Sequence, residues 1–384
     1  MQAEPCEAAM TSLAAEARIR VSASARCLDQ MVSHFLEHDA QITALPDGSH
    51  RCGFGHATTY LRAEGDEIWL RVEATDLGNL ATGKMMLLGH LEEAASGETL
   101  QAVWRGDGEG LSTPPQFRRM QVLRAQWVTP QMRRLTLRGE DLGRFASLEH
   151  LHVKLLIPRE QVEPVWPRLD ASGRLVQGEE ARRPVRRTYT LRRVDVAAGQ
   201  VEIDFVTHGE GSPGSRLAIR AQPGDVVGMF GPGGGAPRAA DWTLLAGDET
   251  ALPAIARILE AMPRDARGMA FIEVSGAAER QDLIAPAGVE VHWLYRESAA
   301  PGTTSLLPDA VCAASWPSDE GAFAWAGCEF AAVQRLRRHC RMDRGLDKNG
   351  HLAVAYWRRG VEEGGFEKTA AEEAGAAAAS VRPG

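Results

Sequence analysis

A chain of 384 residues is longer than one hydrophobic core usually serves, so two or three domains are expected, and the patterning below supports three. Its 44% hydrophobic and 24% charged residues are the balance of a soluble globular protein, and no apolar run is long enough to span a bilayer, so membrane anchoring is not expected. A formal charge of −8 speaks against a general nucleic-acid binder.

Residues 1–7 are acidic and lack the basic start and apolar stretch of a signal peptide, so a cytoplasmic protein is expected, with a monomer as its assembly. The cysteines at 6, 27, 52, 312, 328 and 340 form no Cys-x-x-Cys pair and read as reduced thiols, without an iron–sulfur or zinc site. Residues 1–14 and 367–384 are rich in Ala, Glu and Gly and read as disordered tails.

Residues 15–105 pattern as a small α+β domain. Arg18-Ile19-Arg20-Val21 alternates like a strand, and Leu28, Met31, Val32, Phe35 and Leu36 fall at helical spacing. Residues 52–61 and 67–73 read as two strands joined across Glu64-Gly65-Asp66, and residues 77–95 as a second helix. His34 and His38 lie four apart on the first helix; with no third ligand in view, a solvated face explains them better than a metal.

Residues 106–115, rich in Gly and then Pro, mark a boundary. From 117 to 235 the chain is strand-rich, with strands at 117–124, 132–138 and 152–157 and others around Tyr189, Ile203 and Val226, giving about six strands of an antiparallel Greek-key barrel. Polar residues 159–183 read as a surface excursion from it. From 242 to 366, strands at 242–247, 268–274, 289–294, 323–327 and 352–357 alternate with helices, the pattern of a doubly wound parallel sheet.

The barrel carries the sharpest motif, Arg187-x-Tyr189-Thr190. A cation for phosphate, an aromatic platform and a hydroxyl are what a flavin dinucleotide needs, and Gly214-Ser215 opens a short helix whose positive end suits its pyrophosphate. Asp204, Val206 and His208 lie at alternate positions of a neighbouring strand and are further candidates to face the flavin. In the sheet, Gly247, Asp248, Thr250 and Ala251 stand where a strand gives way to a helix, the place at which such sheets receive a nucleotide's phosphates. The run is not Gly-x-Gly-x-x-Gly, and the acidic Asp248 must point away or cap the helix. Ser275 and Arg280 follow the second sheet strand, where an adenosine ribose or its 2′-phosphate would be read; for Arg280 a solvated loop is the competing reading. Glu329 and Trp357 sit at later strand ends on the same rim. Trp357 is placed to stack on a nicotinamide or flavin, with core packing as the alternative.

Taken together, Arg186-Arg187-Thr188-Tyr189-Thr190-Leu191-Arg192, Asp204-Phe205-Val206-x-His208-Gly209, Gly214-Ser215-Arg216, Gly231-Pro232-Gly233-Gly234, residues 246–255 and Tyr356-Trp357-Arg358-x-Gly360 resemble the siderophore-interacting protein family. These are the flavin-dependent ferric-siderophore reductases of the ferredoxin-reductase superfamily. The resemblance covers about residues 117–366 and implies FAD on the barrel, NADPH or NADH on the C-terminal sheet, and a ferric siderophore as electron acceptor. It implies catalysis by placement, with Tyr189 and Thr190 at the reacting ring and no acid, base or metal ligand. Lys154, Arg216 and Arg358 are its nominees for binding an anionic chelate, though Arg216 is equally placed to meet phosphate. The chain departs from the family in its N-terminal domain, in the insert before Arg186 and in Cys328, where alanine is expected. The N-terminal domain itself resembles a small domain of unassigned function found alone and fused to iron-handling proteins.

Two rivals stay open: a flavin reductase serving another small or protein acceptor, and a non-enzymatic chelate-binding or iron-sensing module on a vestigial flavin fold.

Overall fold

The computed structural model describes residues 12–37, 40–98, 100–235, 237–316 and 321–361; His38, Cys6 and the tail 367–384 lie outside them. The chain divides into two units, and the division does not follow the sequence. One unit takes the chain to Phe117 and then Arg159–Pro184; the other holds Arg118–Pro158 and everything from Val185.

The first unit begins with β1 (Leu13–Arg20), so the strand starts inside the stretch read from sequence as a tail. It continues through α1 (Ser24–Glu37), β2 (Gln41–Ala44), β3 (His50–Phe54), β4 (Ala57–Glu64), β5 (Glu67–Ala74), α2 (Leu77–Ala94) and β6 (Arg105–Gly106). The strands form one antiparallel sheet in the order β2-β3-β4-β5-β1-β6. Residues 52–61, expected as a single strand, are broken between β3 and β4 by a turn at Gly55-His56. Ile68, Leu70 and Val72 are fully buried on one face of β5 and pack with Leu80, Leu87 and Leu91 of α2, the period-2 and helical patterns meeting in one core. Asp76 caps α2 by accepting from the Asn79 amide at 2.9 Å. At Gly83 a Cβ would sit 2.5 Å from Val72 Cγ1, so glycine permits the close approach of helix to sheet.

The barrel opens with β7 (Phe117–Thr129), β8 (Met132–Arg138) and β9 (His152–Ile157). The next residues, Arg159–Pro184, are grouped with the first unit rather than running free. Their small hairpin, β10 (Arg168–Leu169) and β11 (Leu175–Val176), is tied to that unit by specific bonds. Arg174 reaches Glu92 and the Leu100 carbonyl, and Trp104 Nε1 donates to the Ser172 carbonyl at 3.1 Å. The chain then returns through β12 (Val185–Asp195), β13 (Gln200–Val206), α3 (Pro213–Arg220) and β14 (Val226–Gly233), closing a six-stranded antiparallel barrel in the order β12-β13-β8-β7-β14-β9. Leu135, Leu155, Leu191, Ile203, Phe205 and Met229 fill its interior.

The parallel sheet follows: β15 (Trp242–Asp248), α4 (Leu252–Ala261), β16 (Arg267–Val274), β17 (Gly288–Tyr295), α5 (Leu306–Ala313), β18 (Ala322–Glu329), α6 (Phe330–Arg338) and β19 (His351–Trp357), in strand order β17-β16-β15-β18-β19. Every residue of β15 and β18 is buried, as befits central strands covered on both faces. One covering layer holds α4, the other α5 and α6. No helix among the described residues is long and apolar enough to cross a membrane.

Candidate active site

Strand β12 carries the Arg-x-Tyr-Thr motif, and its pairing with β9 sets the order of side chains. Arg187 lies opposite Leu155, Thr188 opposite Lys154, Tyr189 opposite Val153 and Thr190 opposite His152. Lys154 Nζ donates to Thr188 Oγ1 at 2.6 Å, while an Arg187 amine donates to the Arg186 carbonyl at 2.9 Å. The Tyr189 ring packs on Phe205 with centroids 4.2 Å apart. Its hydroxyl crosses the first turn of α3, where a Cβ on Gly214 would lie 1.8 Å away. Glycine is therefore the residue that lets the aromatic platform and the helix end meet.

Helix α3 presents that end through a fastened loop. Ser212 caps it by accepting from the Ser215 amide at 3.3 Å. Ser215 itself is almost fully buried; its hydroxyl donates to the Gly209 carbonyl and accepts from the His208 amide at 3.2 Å. Its side chain thus holds the loop, leaving the Gly214 amide, which has no intrahelical acceptor by its place in the first turn, at the positive helix end. The His208 side chain is exposed, and Arg216 Nε is turned back to the Glu210 carbonyl at 3.1 Å.

Opposite, β9 supplies a residue that sequence reasoning missed. The His152 ring lies against Gly233-Gly234, where Cβ atoms would come within 3.0 Å and 2.5 Å of it, and Gly234 has φ +84°. His150 Nδ1 is bonded to the Gly234 carbonyl at 2.7 Å. The only signal in the sequence was the glycine run, which marks a backbone approached closely without saying by what.

Of the other flavin candidates, Asp204 is engaged elsewhere: both its oxygens accept from Arg134 of β8, at 2.6 Å and 2.8 Å. The two residues are directly cross-strand, with Asp204 buried and Arg134 half-buried. Val206 faces the parallel sheet, in a cluster with Met132, Trp325 and Tyr356.

On the sheet rim, Asp248 gathers three strand ends. One oxygen accepts from the Thr250 amide at 2.9 Å and from its hydroxyl; the other accepts from the Glu329 amide at 3.1 Å and from Trp357 Nε1 at 2.8 Å. Burial first, and then the Glu249 charge, push its carboxyl up to about 7. Glu249 is itself held by the buried Arg296. Glu329 caps α6 through the Ala331 amide at 2.6 Å and accepts from the Arg359 amide at 3.2 Å. Gly247 has no room for a side chain, since a Cβ would meet Ala251 at 2.7 Å, and Ala251 is fully buried. Ser275 is half-buried and Arg280 exposed. The residue before Arg280, buried Glu279, accepts from the Thr129 hydroxyl and the Gln131 amide of the barrel. Arg358 lies over the Phe330 ring, 4.6 Å from its centroid.

The barrel strand and the sheet rim meet at Tyr356. Its phenol hydrogen-bonds with the Thr190 side chain, and burial pushes it up from the ordinary tyrosine value. Trp325 meets its ring edge-on at 6.2 Å. Gly327 leaves it room, since a Cβ there would fall 2.9 Å from that ring. A second bond between the layers runs from Arg257 of α4, whose guanidinium donates to the carbonyls of Leu191, Ala146 and Ser147, each at 3.1 Å. Neither residue was singled out from the sequence as joining the two layers, because each partner lies far away along the chain.

Among the described residues no group of three or more His, Cys, Asp and Glu side chains is arranged to hold a metal. His34, half of the expected i, i+4 pair, packs against His90 with ring centroids 4.8 Å apart. Cys27, Cys52, Cys312, Cys328 and Cys340 are free thiols, and burial pushes Cys328 well up.

A pyrophosphate-bearing flavin fits what this geometry offers: a positive helix end kept bare by Gly214, an aromatic ring across it, and a glycine turn without side chains. Three families match the chain. The siderophore-interacting FAD-binding domain covers residues 121–236, the siderophore-interacting protein family residues 240–360, and an uncharacterised protein conserved in bacteria (DUF2218) residues 16–105. The ferric vibriobactin reductase ViuB of Vibrio cholerae is 32% identical over 259 residues, 65% of this chain and 93% of that protein. The NADPH-dependent ferric-chelate reductase of Escherichia coli is 29% identical over 247 residues, 63% of this chain and 92% of that protein. The solved siderophore-interacting protein SipS of Aeromonas hydrophila superposes with a TM-score of 0.57 at 32% identity, over 67% of this chain and 97% of that one.

Proposed function

The chain belongs to the siderophore-interacting protein family, and we propose that it is an FAD-dependent oxidoreductase that carries electrons from NADPH to the Fe(III) of a siderophore. The observation that carries the proposal is the meeting of Thr190 with Tyr356, which joins the motif strand of the barrel to the nucleotide-facing rim of the parallel sheet. When bound, FAD supplies the exchange between a two-electron hydride donor and a one-electron metal acceptor.

The chain's own part is placement. The first turn of α3 and Arg187 hold the pyrophosphate, Tyr189 lies along the ring system, and Thr190, oriented by Tyr356, offers its hydroxyl at the ring's redox-active edge. On the sheet, the turn at Gly247–Ala251 receives the dinucleotide, Ser275 and Arg280 read its adenosine end, and Trp357 walls the nicotinamide side with Glu329 behind it. Asp204 serves the barrel through Arg134 rather than through the cofactor. Lys154, Arg216 and Arg358 supply positive charge for an anionic chelate. Siderophores bind Fe(III) through hard oxygen donors that suit Fe(II) far less, so reduction releases the metal. NADPH is preferred to NADH in this proposal because the similar Escherichia coli enzyme is named for it.

The test is an anaerobic visible-spectrum titration with NADPH and with NADH, followed by a panel of ferric chelates, free flavin and cytochrome. The expected result is bleaching by NADPH and reoxidation fastest with ferric siderophores. A protein that carries no flavin absorbance, or whose Arg187→Ala and Tyr189→Ala variants keep full FAD and full turnover, overturns the assignment. Faster reoxidation by a protein acceptor redirects it to a different reductase.

A further inference from the structure

The first unit contains a cleft of about 340 Å³, within the size range of small-molecule sites at roughly 300–1,000 Å³. Leu80 and Ala81 of α2 and the Trp104 indole form its floor, and Leu169 of the β10-β11 hairpin closes one side. Its rim carries Leu77 and Val103, which are 40% and 59% exposed, large apolar side chains left in water at a concave mouth. Trp104 is held rigid by its bond to the Ser172 carbonyl, and the hairpin by Leu169, whose amide donates to the Ser112 carbonyl at 2.9 Å. The cleft is therefore preformed.

One cation stands in this apolar wall. Lys84 is only 6% exposed, its Nζ donates to the Asp107 carbonyl at 2.7 Å and lies 5.7 Å from the Trp104 ring centroid. An ammonium has three N–H donors, and among the described residues no carboxylate is in ion-pair contact with it. The two acids that line the cleft are committed: Glu109 to Arg105 at 2.7 Å, Asp170 to the amides of Ser172 and Arg174 at 2.8 Å and 2.9 Å. The Asp107 and Glu109 carboxylates attract this ammonium only from beyond contact distance, and burial lowers its proton affinity by more than they raise it, so part of the cost of burying the cation is left uncompensated. A carboxylate arriving from solvent would remove that cost.

We propose that this cleft is a binding site for a small organic monoanion with a flat apolar body, its carboxylate on Lys84 and its ring against Trp104 and Leu80. Nothing in the barrel or the sheet is needed for this site, so it stands independently of the redox assignment. Because Leu169, Asp170 and Gly173 line it, residues 16–105 alone would lack one wall, and the whole chain is the object to test.

The experiment is calorimetric titration of the full chain, saturated with FAD, with sodium benzoate and with its uncharged counterpart benzamide. The expected result is one benzoate site with a dissociation constant below about 1 mM, benzamide at least tenfold weaker, and a flavin spectrum that does not change. Lys84→Met should abolish the preference for benzoate. Val103→Glu, at an exposed position that tolerates the change, should weaken benzoate at least tenfold by placing like charge at the mouth, while leaving benzamide within twofold. The proposal is overturned if neither compound binds, if both bind alike, if Val103→Glu leaves benzoate affinity unchanged, or if benzoate binding perturbs the flavin spectrum and so reports the barrel site.

Discussion

Trp357 Nε1 donates to Asp248 Oδ2 at 2.8 Å, and the same oxygen receives the Glu329 amide. One buried carboxyl thus ties the ends of β15, β18 and β19 at the rim where the nicotinamide dinucleotide is proposed to bind. Its pKa of about 7, against an ordinary 3.8, gives this tie a pH dependence. Between those values the folded chain binds a proton that the unfolded chain has lost, so stability is full below about pH 4 and falls as pH rises through about 7. The melting temperature of the wild type should drop more steeply between pH 5 and 8 than that of Asp248→Asn, in which no ionisation occurs. Thermal melts of both proteins across that range decide it, and parallel slopes would discard the account.

Gly214 and Tyr189 share one volume, which makes the flavin cradle testable by a single methyl group. A Cβ at 214 would fall 1.8 Å from the Tyr189 hydroxyl and 2.9 Å from its Cζ, so Gly214→Ala must push the ring off α3. We expect FAD affinity to fall at least tenfold, about 1.4 kcal/mol, with partial recovery in Gly214→Ala/Tyr189→Phe. Titration of the apoprotein followed by flavin absorbance measures both. Equal affinities in wild type and Gly214→Ala would mean that Tyr189 does not line the site.

Asp204 is separable from the cofactor by the same kind of reasoning. Arg134, half-buried beside the buried Asp204, loses its bidentate partner in Asp204→Ala, and since breaking a fully buried pair from one side costs roughly 3–5 kcal/mol, a loss somewhat below that is expected. Urea denaturation should show that loss, and Arg134→Met/Asp204→Leu should regain part of it, because both charges of the pair are removed together while Glu202, 3.5 Å from Arg134, loses one neighbouring cation. The regained protein should bind FAD as the wild type does. If it folds well but binds FAD poorly, Asp204 contacts the cofactor after all.

These cases show which features the sequence made legible. The barrel and the parallel sheet were readable because period-2 alternation and buried runs such as Trp242-Thr243-Leu244-Leu245 are local patterns. Arg187, Tyr189 and Thr190 were readable as neighbours on one barrel strand because their run fits strand spacing; their part in holding a flavin belongs to the proposal. Residues 52–61 misled because apolar alternation persists through the turn at Gly55-His56. The segment Arg159–Pro184 misled for another reason: its polarity suits a solvated loop, yet Arg174 spends its charge on Glu92, 82 residues away. Tyr356 and His152 act on partners that only the folded chain brings near, and no spacing rule reaches that far.

Arg257 provides the last test, and it concerns how the barrel and the sheet move as one body. This arginine is 7% exposed and, among the described residues, is in ion-pair contact with no carboxylate; it donates instead to the carbonyls of Leu191 at the end of the motif segment and of Ala146 and Ser147 in the turn before β9. Burial, and then the neighbouring Arg192, lower its affinity for the proton, so the bond is held against an electrostatic cost that only well-placed acceptors offset. Arg257→Met keeps the stem and removes every donor; the carbonyls of exposed Ala146 and Ser147 can turn to water, whereas those of buried Leu191 and Phe145 lose this donor at about 1–3 kcal/mol each. Arg192 of β12 is already engaged, its guanidinium donating to the carboxylate of Glu260 on α4. The expected outcome by scanning calorimetry is a lower melting temperature and a single transition resolved into two, barrel and sheet, with Arg257→Lys intermediate because an ammonium can serve fewer carbonyls at once. Electron transfer should slow more than FAD binding weakens, since Thr190 and Tyr356 meet across this same junction. A variant that melts in one unshifted transition would show that the apolar cluster of Met132, Val206 and Trp325 holds the layers together without it.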